Sequence, residues 1–342
     1  MININKIVRP NILNLQPYSS ARSEFRGKEG IFLDANENPF GNLNRYPDPF
    51  QRELKEKIAG VKRCNSRNVI IGNGSDEIID LLFRIFCNPG KDKAMIFTPT
   101  YGMYRVTAGI NNVGVVDIPL DKNFQIDTEK VKPFLDWPEM KLIFICSPNN
   151  PTGNIINEKS VTFLLENFKG IVVVDEAYVD FSKETSWLSR LDNYNNLVVI
   201  QTFSKAWGLA AARLGMGFTS EEIVALFNKV KSPYNISSIN QQAALEALQD
   251  PDKKDRAVAL LMKEKERLVN ALSGSARVTK IYPSRANFLL IEVDNADHLY
   301  KALVNEGIIT RNRSREIKNC LRVTVGTPTE NDMLINAINN IK

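Results

Sequence analysis

Between about Asn68 and Phe218 the chain alternates short runs of consecutive apolar residues with stretches in which apolar residues recur every three or four positions. The continuous runs are NVIIGNG, KAMIFTPTY, VGVVDIPL, MKLIFICSPNN, GIVVVDEAY and NLVVIQTFSK. Runs of this length, bounded by Gly, Pro and Asn, predict strands covered on both faces. SDEIIDLLFRIFC has the helical spacing instead, with Ser75 or Asp76 placed to cap it. Strands alternating with helices predict an α/β fold with a mostly parallel sheet between helices. After Pro233 the pattern changes. A long amphipathic helix, about Pro251 to Leu272, leads to the strand ANFLLIEV, the helix ADHLYKALVNEG and the strand NCLRVTVG. That succession predicts a smaller α+β layer. The first 30 or so residues have little periodicity and read as an arm. The expected organisation is an arm over 1–35 that joins the small domain, a large domain over 36–240 and a small domain over 241–342.

Composition narrows the function class. A chain of 342 residues, 43% hydrophobic and 24% charged, has the balance of a soluble globular protein. The net charge of +5 is spread among interspersed acids and bases, so no nucleic-acid partner is expected. No stretch approaches the roughly 20 apolar residues of a membrane span, and the N-terminal residues lack the apolar core of a signal peptide. The expected location is cytoplasmic. Cys64, Cys87, Cys146 and Cys320 form no CxxC pair, so reduced thiols and no metal are expected. The one histidine, His298, lies in polar NADHLY and is expected at the surface. Chemistry built on a histidine base, a triad or a histidine-rich metal site is therefore not expected.

Four stretches at predicted strand ends carry candidate chemistry. In IGNGSDEI a strand stops at Gly72, Gly74 lets the backbone approach closely, and a helix begins near Ser75. Such a turn presents N–H groups and a helix dipole to an anion. Glu77 stands where the dinucleotide fingerprint needs its third Gly, and no GK[ST] follows for a P-loop. An ordinary strand-to-helix turn is the alternative. In SPNNPTGN, Asn149 and Asn150 are amide donors just past a strand, on a turn shaped by Pro151 and Gly153. In VVVDEAYVDF, Asp175 ends an apolar run and Tyr178 follows three positions on. A carboxylate there needs a cation or donor, either a metal or a protonated heterocyclic nitrogen, unless it caps the next helix. In TFSKAWGLAAARLG, Lys205 follows Thr202 and Ser204, and Arg213 lies eight positions on. An amine among apolar groups and other cations has a lowered pKa and becomes a nucleophile toward carbonyls. Thr202, Ser204 and Arg213 together can hold a phosphate. One group asks for all of these: pyridoxal phosphate needs a lysine, an acid at its ring nitrogen, donors at its phenolic oxygen and a phosphate cradle.

These motifs, with LQPYSSAR, LDANENPFG, NRYPDP, PTYGMY, PYNIS, ANFLL and CLRVTVGT, cover nearly the whole chain. The chain resembles the fold-type I pyridoxal-phosphate-dependent aminotransferases, and among them the histidinol-phosphate aminotransferase subfamily. The resemblance implies that Lys205 is the Schiff-base lysine and general base, that Asp175 pairs with the ring nitrogen, and that Asn150 and Tyr178 bond the phenolic oxygen. It implies that Tyr101 stacks on the ring and that Gly74, Ser75, Asp76, Thr202, Ser204 and Arg213 surround the phosphate. It also implies a homodimer, with Tyr46 reaching the neighbouring subunit's cofactor phosphate. Arg322 and Arg311 match substrate-anion arginines, with Arg313 and Arg315 open as alternatives to Arg311. Tyr18 and Asn36 match lid residues, and Glu37 beside them has the imidazole in reach. The implied reaction transfers the amino group of L-histidinol phosphate to 2-oxoglutarate. Trp207 and Ala211-Ala212 depart from the common pattern without removing a reacting group. Three alternatives stay open: a threonine-phosphate decarboxylase, an aromatic or broad aminotransferase, and a non-catalytic ligand-sensing regulator. The last predicts an added DNA-binding domain or loss of the lysine, and Lys205 is present.

Overall fold

The structure is a computed structural model that describes residues 2–25 and 30–341. Residues 26–29 of the expected arm lie outside it. Eleven strands form among the described residues. They are β1 (Val69–Asn73), β2 (Lys93–Thr98), β3 (Gly114–Pro119), β4 (Met140–Cys146), β5 (Ile171–Asp175), β6 (Leu197–Thr202), β7 (Leu214–Phe218), β8 (Val278–Ile281), β9 (Phe288–Val293), β10 (Arg311–Asn312) and β11 (Cys320–Thr324). Seven make one sheet in the order β1-β7-β6-β5-β4-β2-β3. The five from β3 to β6 run parallel, whereas β7 is antiparallel to both β6 and β1. The other four form an antiparallel sheet, β10-β11-β9-β8.

The continuous apolar runs follow from burial on both faces of the large sheet. On β5, Val172 and Val174 enter one core cluster, while Ile171 and Val173 enter the other. The first cluster includes residues of the helices Arg52–Lys62, Glu158–Asn167 and Ser238–Ala247; the second includes Ser75–Phe86 and Glu221–Val230. Each fully buried Val, Leu or Ile side chain contributes roughly 1.5–3 kcal/mol. The helix Pro251–Ser273 packs against Pro328–Asn340 and β8, and Leu268, Leu272, Leu289, Ile291, Leu321 and Val323 share a separate core under the small sheet. Ile4, Val8 and Ile12 are buried in the second large-sheet cluster. The arm's first turns thus dock on the large layer, where the sequence reading attached the arm to the small one. Their four-residue spacing gives an apolar stripe, and the stripe covers the helices Ser75–Phe86 and Glu221–Val230.

The strand β7 was not foreseen, because LGMGF lacks a β-branched apolar run. Its glycines have a tertiary cause. A Cβ on Gly215 would lie 2.3 Å from Ser75 N and 2.5 Å from Gly74 C. Only a glycine lets β7 run this close to the turn after β1, which is bridged to Leu214. Gly215→Ala is expected to cost about 1–3 kcal/mol by overpacking against backbone, read as a lower urea midpoint. Gly217→Ala, whose Cβ meets only side chains at 3.4–3.5 Å, should change the midpoint less.

Candidate active site

The carboxyl ends of β1, β2, β4, β5 and β6 and the entrance of β7 lie along one edge of the large sheet. A cleft of about 260 Å³ opens across that edge, just below the ~300–1,000 Å³ common for small-molecule sites. Its walls include Ser75, Asp76, Tyr101, Asn150, Asp175, Tyr178, Thr202, Ser204, Lys205, Arg213 and, from the small sheet, Arg322. Residues separated by up to 247 positions in sequence thus converge at the ends of strands, where ligands of open α/β sheets bind. A larger cavity, about 500 Å³, lies around Tyr46 and Tyr234. The smaller cleft is the candidate site because a lysine, a buried carboxylate and two arginines meet there.

Asp175 is the last residue of β5 and is buried. Its Oδ1 accepts from the Ala177 N–H at 3.0 Å and its Oδ2 from the Tyr104 hydroxyl at 2.6 Å. Burial raises its pKa, and the Tyr104 and Ala177 hydrogen bonds oppose that rise. A carboxylate so placed gains from a cationic or N–H partner in the cleft. Lys205 stands exposed on the cleft floor, its Nζ 5.7 Å from the centroid of the Tyr178 ring. Loss of solvent around its amine lowers its pKa, and the Arg322 and Arg213 charges lower it further. More of the amine is therefore neutral and nucleophilic at a given pH than for a solvated lysine.

Thr202, Ser204 and Arg213 gather at the Gly74 turn. Gly74 has φ +75°, and a Cβ there would lie 2.6 Å from Arg213 Nη2. Gly74 precedes the helix Ser75–Phe86 as its N-cap, so neither Ser75 nor Asp76 is the cap. A glycine takes the positive φ of that position, and as a cap it leaves no side chain between the helix N-terminus and the cleft. Gly74 N–H donates to the Arg213 carbonyl at 2.7 Å, which holds the turn against β7. Arg213 Nη2 lies 3.6 Å from Asp76 Oδ2, half exposed. The Ser204 N–H donates to Thr202 Oγ1 at 3.0 Å. A helix N-terminus, two hydroxyls and a guanidinium make an anion cradle.

The opposite wall holds Asn150 and Tyr178. Asn150 Nδ2 lies 3.4 Å from the Tyr178 hydroxyl, and its Oδ1 accepts from Arg322 Nη1 at 2.5 Å. Burial raises the Tyr178 pKa, so the phenol keeps its proton and remains a donor. Arg322 Nε is buried without a hydrogen-bond partner. A guanidinium that lines the cleft and carries an unpartnered N–H suits an incoming anion. Arg311 stands opposite Arg322 in the β10–β11 register and is exposed. Arg313 is half-buried, paired with Glu316, and its Nε is also unpartnered. Arg315 is exposed beyond this ladder.

A sequence model of the family described as "Aminotransferase class I and II" matches residues 26–338. A protein of Parabacteroides distasonis named histidinol-phosphate aminotransferase is 49% identical over the full length of both chains. The chain belongs to the class I and II aminotransferase family. Among solved structures, the histidinol-phosphate aminotransferase of Clostridium acetobutylicum is similar, with a TM-score of 0.79 and 27% identity over 87% of this chain and 90% of that one. The Sinorhizobium meliloti histidinol-phosphate aminotransferase, solved in complex with pyridoxal-5'-phosphate, shares the fold with a TM-score of 0.79, at 22% identity over 89% and 88% of the two chains. The fold is thus that of the fold-type I aminotransferases, as the sequence motifs implied.

Against that family frame, some expected site residues stand away from the cleft. Tyr46 stacks on Tyr234, with ring centroids 4.4 Å apart, and lines the larger cavity with Asn36. Tyr18 is exposed. Glu37 lines the larger cavity, and its carboxylate accepts from Arg22, Arg45 and the Tyr46 N–H at 2.6–2.9 Å. Those contacts fold the segment that carries Asn36 and Tyr46. Tyr104 was missed. Its only sequence signal is its place in PTYGMY, three positions after Tyr101. The cysteines are free and His298 is exposed, and no metal-binding cluster occurs among the described residues. No helix among them is long and apolar enough to cross a membrane.

Proposed function

We propose that this aminotransferase transfers the amino group of L-histidinol phosphate to 2-oxoglutarate, giving imidazole-acetol phosphate and L-glutamate, a step of histidine biosynthesis. The observation that carries the reading is the meeting of Lys205, Asp175, Asn150, Tyr178 and Arg322 in one cleft. The name of the Parabacteroides distasonis relative supports the substrate. The donor set fits pyridoxal phosphate: an accessible amine with a lowered pKa, a buried carboxylate, two donors on the opposite wall and an anion cradle. When bound, that cofactor supplies an aldehyde that reacts with amines and a ring that takes up the electron pair left when a Cα proton departs.

The chain's own residues do the rest. Lys205 would hold the cofactor through its amine and, once free, would take the substrate's Cα proton and hand it on, as one general base used twice. Asp175 would hold a proton on the ring nitrogen. Asn150 and Tyr178 would donate to the phenolic oxygen. Tyr101 would face the ring, and Gly74, Ser75, Asp76, Thr202, Ser204 and Arg213 would hold the phosphate. Arg322, with Arg311 beside it, receives the substrate anion, and Tyr18 and Asn36 cover it. The protein works in the cytoplasm as a homodimer, with Tyr46 completing the partner's phosphate site. The exposed apolar residues Ile31, Leu33, Phe40, Leu43 and Ile239 support a surface covered by a second copy.

Arg322→Gln is expected to weaken both half-reactions, because the phosphate of one substrate and the α-carboxylate of the other use the same fork. Truncating a charge-paired group costs about 2–5 kcal/mol, so kcat/KM should fall between about 30-fold and about 5,000-fold with either substrate. A loss confined to one half-reaction would count against a shared subsite. The same change removes a cation that disfavours the Lys205 ammonium. The Lys205 pKa should therefore rise, read from the pH profile of amine modification in the cofactor-free protein.

The test of the function is glutamate formation by purified protein with pyridoxal phosphate, L-histidinol phosphate and 2-oxoglutarate. Turnover well above that with phenylalanine supports the assignment. Carbon dioxide release from threonine phosphate without glutamate formation would overturn it in favour of a decarboxylase.

A further inference from the structure

Tyr104 is among the largest fully buried side chains of the molecule. A buried phenol is costly unless its hydroxyl finds a partner. This one donates to Asp175 Oδ2 at 2.6 Å, across 71 positions of sequence. Its ring stacks on Phe144, with centroids 4.9 Å and planes 18° apart, and meets Tyr101 edge-on at 5.5 Å. The ring therefore has no freedom to turn the hydroxyl away. Tyr104 belongs to the helix Met103–Ile110, whereas Asp175 belongs to β5. The hydrogen bond thus joins two separate elements at the bottom of the cleft, and no role given above uses it.

We infer that Tyr104 is a positioning residue whose hydroxyl holds the Asp175 carboxylate as an anion, in one orientation, aimed into the cleft. The inference rests on the proposed function only for what Asp175 faces; the hydrogen bond itself is independent of it. Burial and the Asp175 charge push the Tyr104 pKa well up, so the phenol stays protonated and only donates to a carboxylate. A donor to the charged form favours ionisation, against the burial that opposes it. Cys146, Asp76, Lys205, Tyr101 and Tyr178 also face Asp175. Cys146, Tyr101 and Tyr178 have raised pKa values and stay neutral, Lys205 favours the carboxylate, and Asp76 opposes it. All five remain when only the Tyr104 oxygen is removed.

Tyr104→Phe makes that single change. The first readout is the Asp175 titration in cofactor-free protein, followed by the carboxyl stretch in isotope-edited infrared spectra and assigned with Asp175→Asn. The expected result is an upward move of the Asp175 pKa by about 1–2 pH units, the size of a lost hydrogen bond to a charged group. An unmoved titration overturns the inference. If Tyr104→Phe does not fold, 3-fluorotyrosine at position 104, a stronger donor, should move the Asp175 pKa down, and no movement there overturns it equally. With pyridoxal phosphate bound, kcat for L-histidinol phosphate should fall about 10-fold, while KM stays within about twofold. Loss in KM alone would overturn a role through Asp175. A moved Asp175 titration in Tyr104→Phe, alongside a parent protein that does not transaminate L-histidinol phosphate, would sink the proposed function and leave the hydrogen-bond assignment standing.

Discussion

Lys205→Ala is expected to abolish transamination, with kcat lower by about 10⁴-fold or more. General acid–base catalysis alone contributes about 10²–10⁴, and in the proposed mechanism Lys205 would also be the amine that carries the cofactor between turnovers. The cleft holds no substitute. The only histidine, His298, is exposed on a helix of the small layer. The Tyr178 and Tyr101 phenols have raised pKa values and do not act as bases near neutrality. The Asp175 oxygens already face Ala177 and Tyr104. The fold should not suffer, because Lys205 is exposed and makes no ion pair among the described residues. Two measurements check this together. Glutamate formation should vanish in the variant, and borohydride treatment with pyridoxal phosphate should label Lys205 in the parent but leave the variant's corresponding peptide unlabelled. Near-normal turnover in Lys205→Ala would defeat the mechanism whatever the labelling shows.

Much of this site was legible because its residues lie next to patterns that sequence carries locally. Asp175, Thr202 and Asn150 each end or follow an apolar run, and such runs mark strands buried on both faces. The strand β7 was not legible, since Gly215 and Gly217 erase the apolar signature. The glycine at 215 answers to Ser75, a contact made only in three dimensions. The expected cap at Ser75 or Asp76 failed for a related reason. The polar residues after Gly74 suit a cap, but the helix starts one position earlier in the turn, with the glycine as its cap. Ile4, Val8 and Ile12 show a four-residue stripe in sequence, yet nothing local says which layer the stripe covers. Tyr104 was hidden most completely. In GMYRV it reads as one more apolar residue of a helix, and its partner lies on another element. Tyr46 and Asn36 gather around a separate cavity of their own chain, and the role the family resemblance gives Tyr46 depends on a second copy.

Asp175→Asn should produce the second largest loss, and its size follows from electrostatics. The substitution keeps the shape of the side chain and its place at the end of β5, but removes a buried negative charge. A unit charge pair about 4 Å apart at an effective dielectric near 20 is worth about 4 kcal/mol. At 1.36 kcal/mol per tenfold, that corresponds to roughly 10³ in kcat, because in the proposed role the ring nitrogen of the cofactor would lose the anion that keeps it protonated. Cofactor affinity should fall as well, read by equilibrium dialysis of pyridoxal phosphate. Stability should respond in the opposite direction. Asp175 is buried with a raised pKa, so its charge is held in the folded protein against the cost of losing solvent. Replacing a buried charge that burial disfavours by a neutral amide of the same shape, which still accepts from the Ala177 N–H, should be neutral or stabilising in the cofactor-free protein. A group whose folded pKa is raised contributes stability below its unfolded value of about 3.9 and loses it as pH rises through the folded pKa. The cofactor-free Asp175→Asn protein should therefore match or exceed the parent in urea midpoint above that window, while the loaded parent regains its lead through cofactor binding. A variant that kept full kcat, or that lost stability in the cofactor-free state at neutral pH, would show that Asp175 serves the sheet rather than the cofactor.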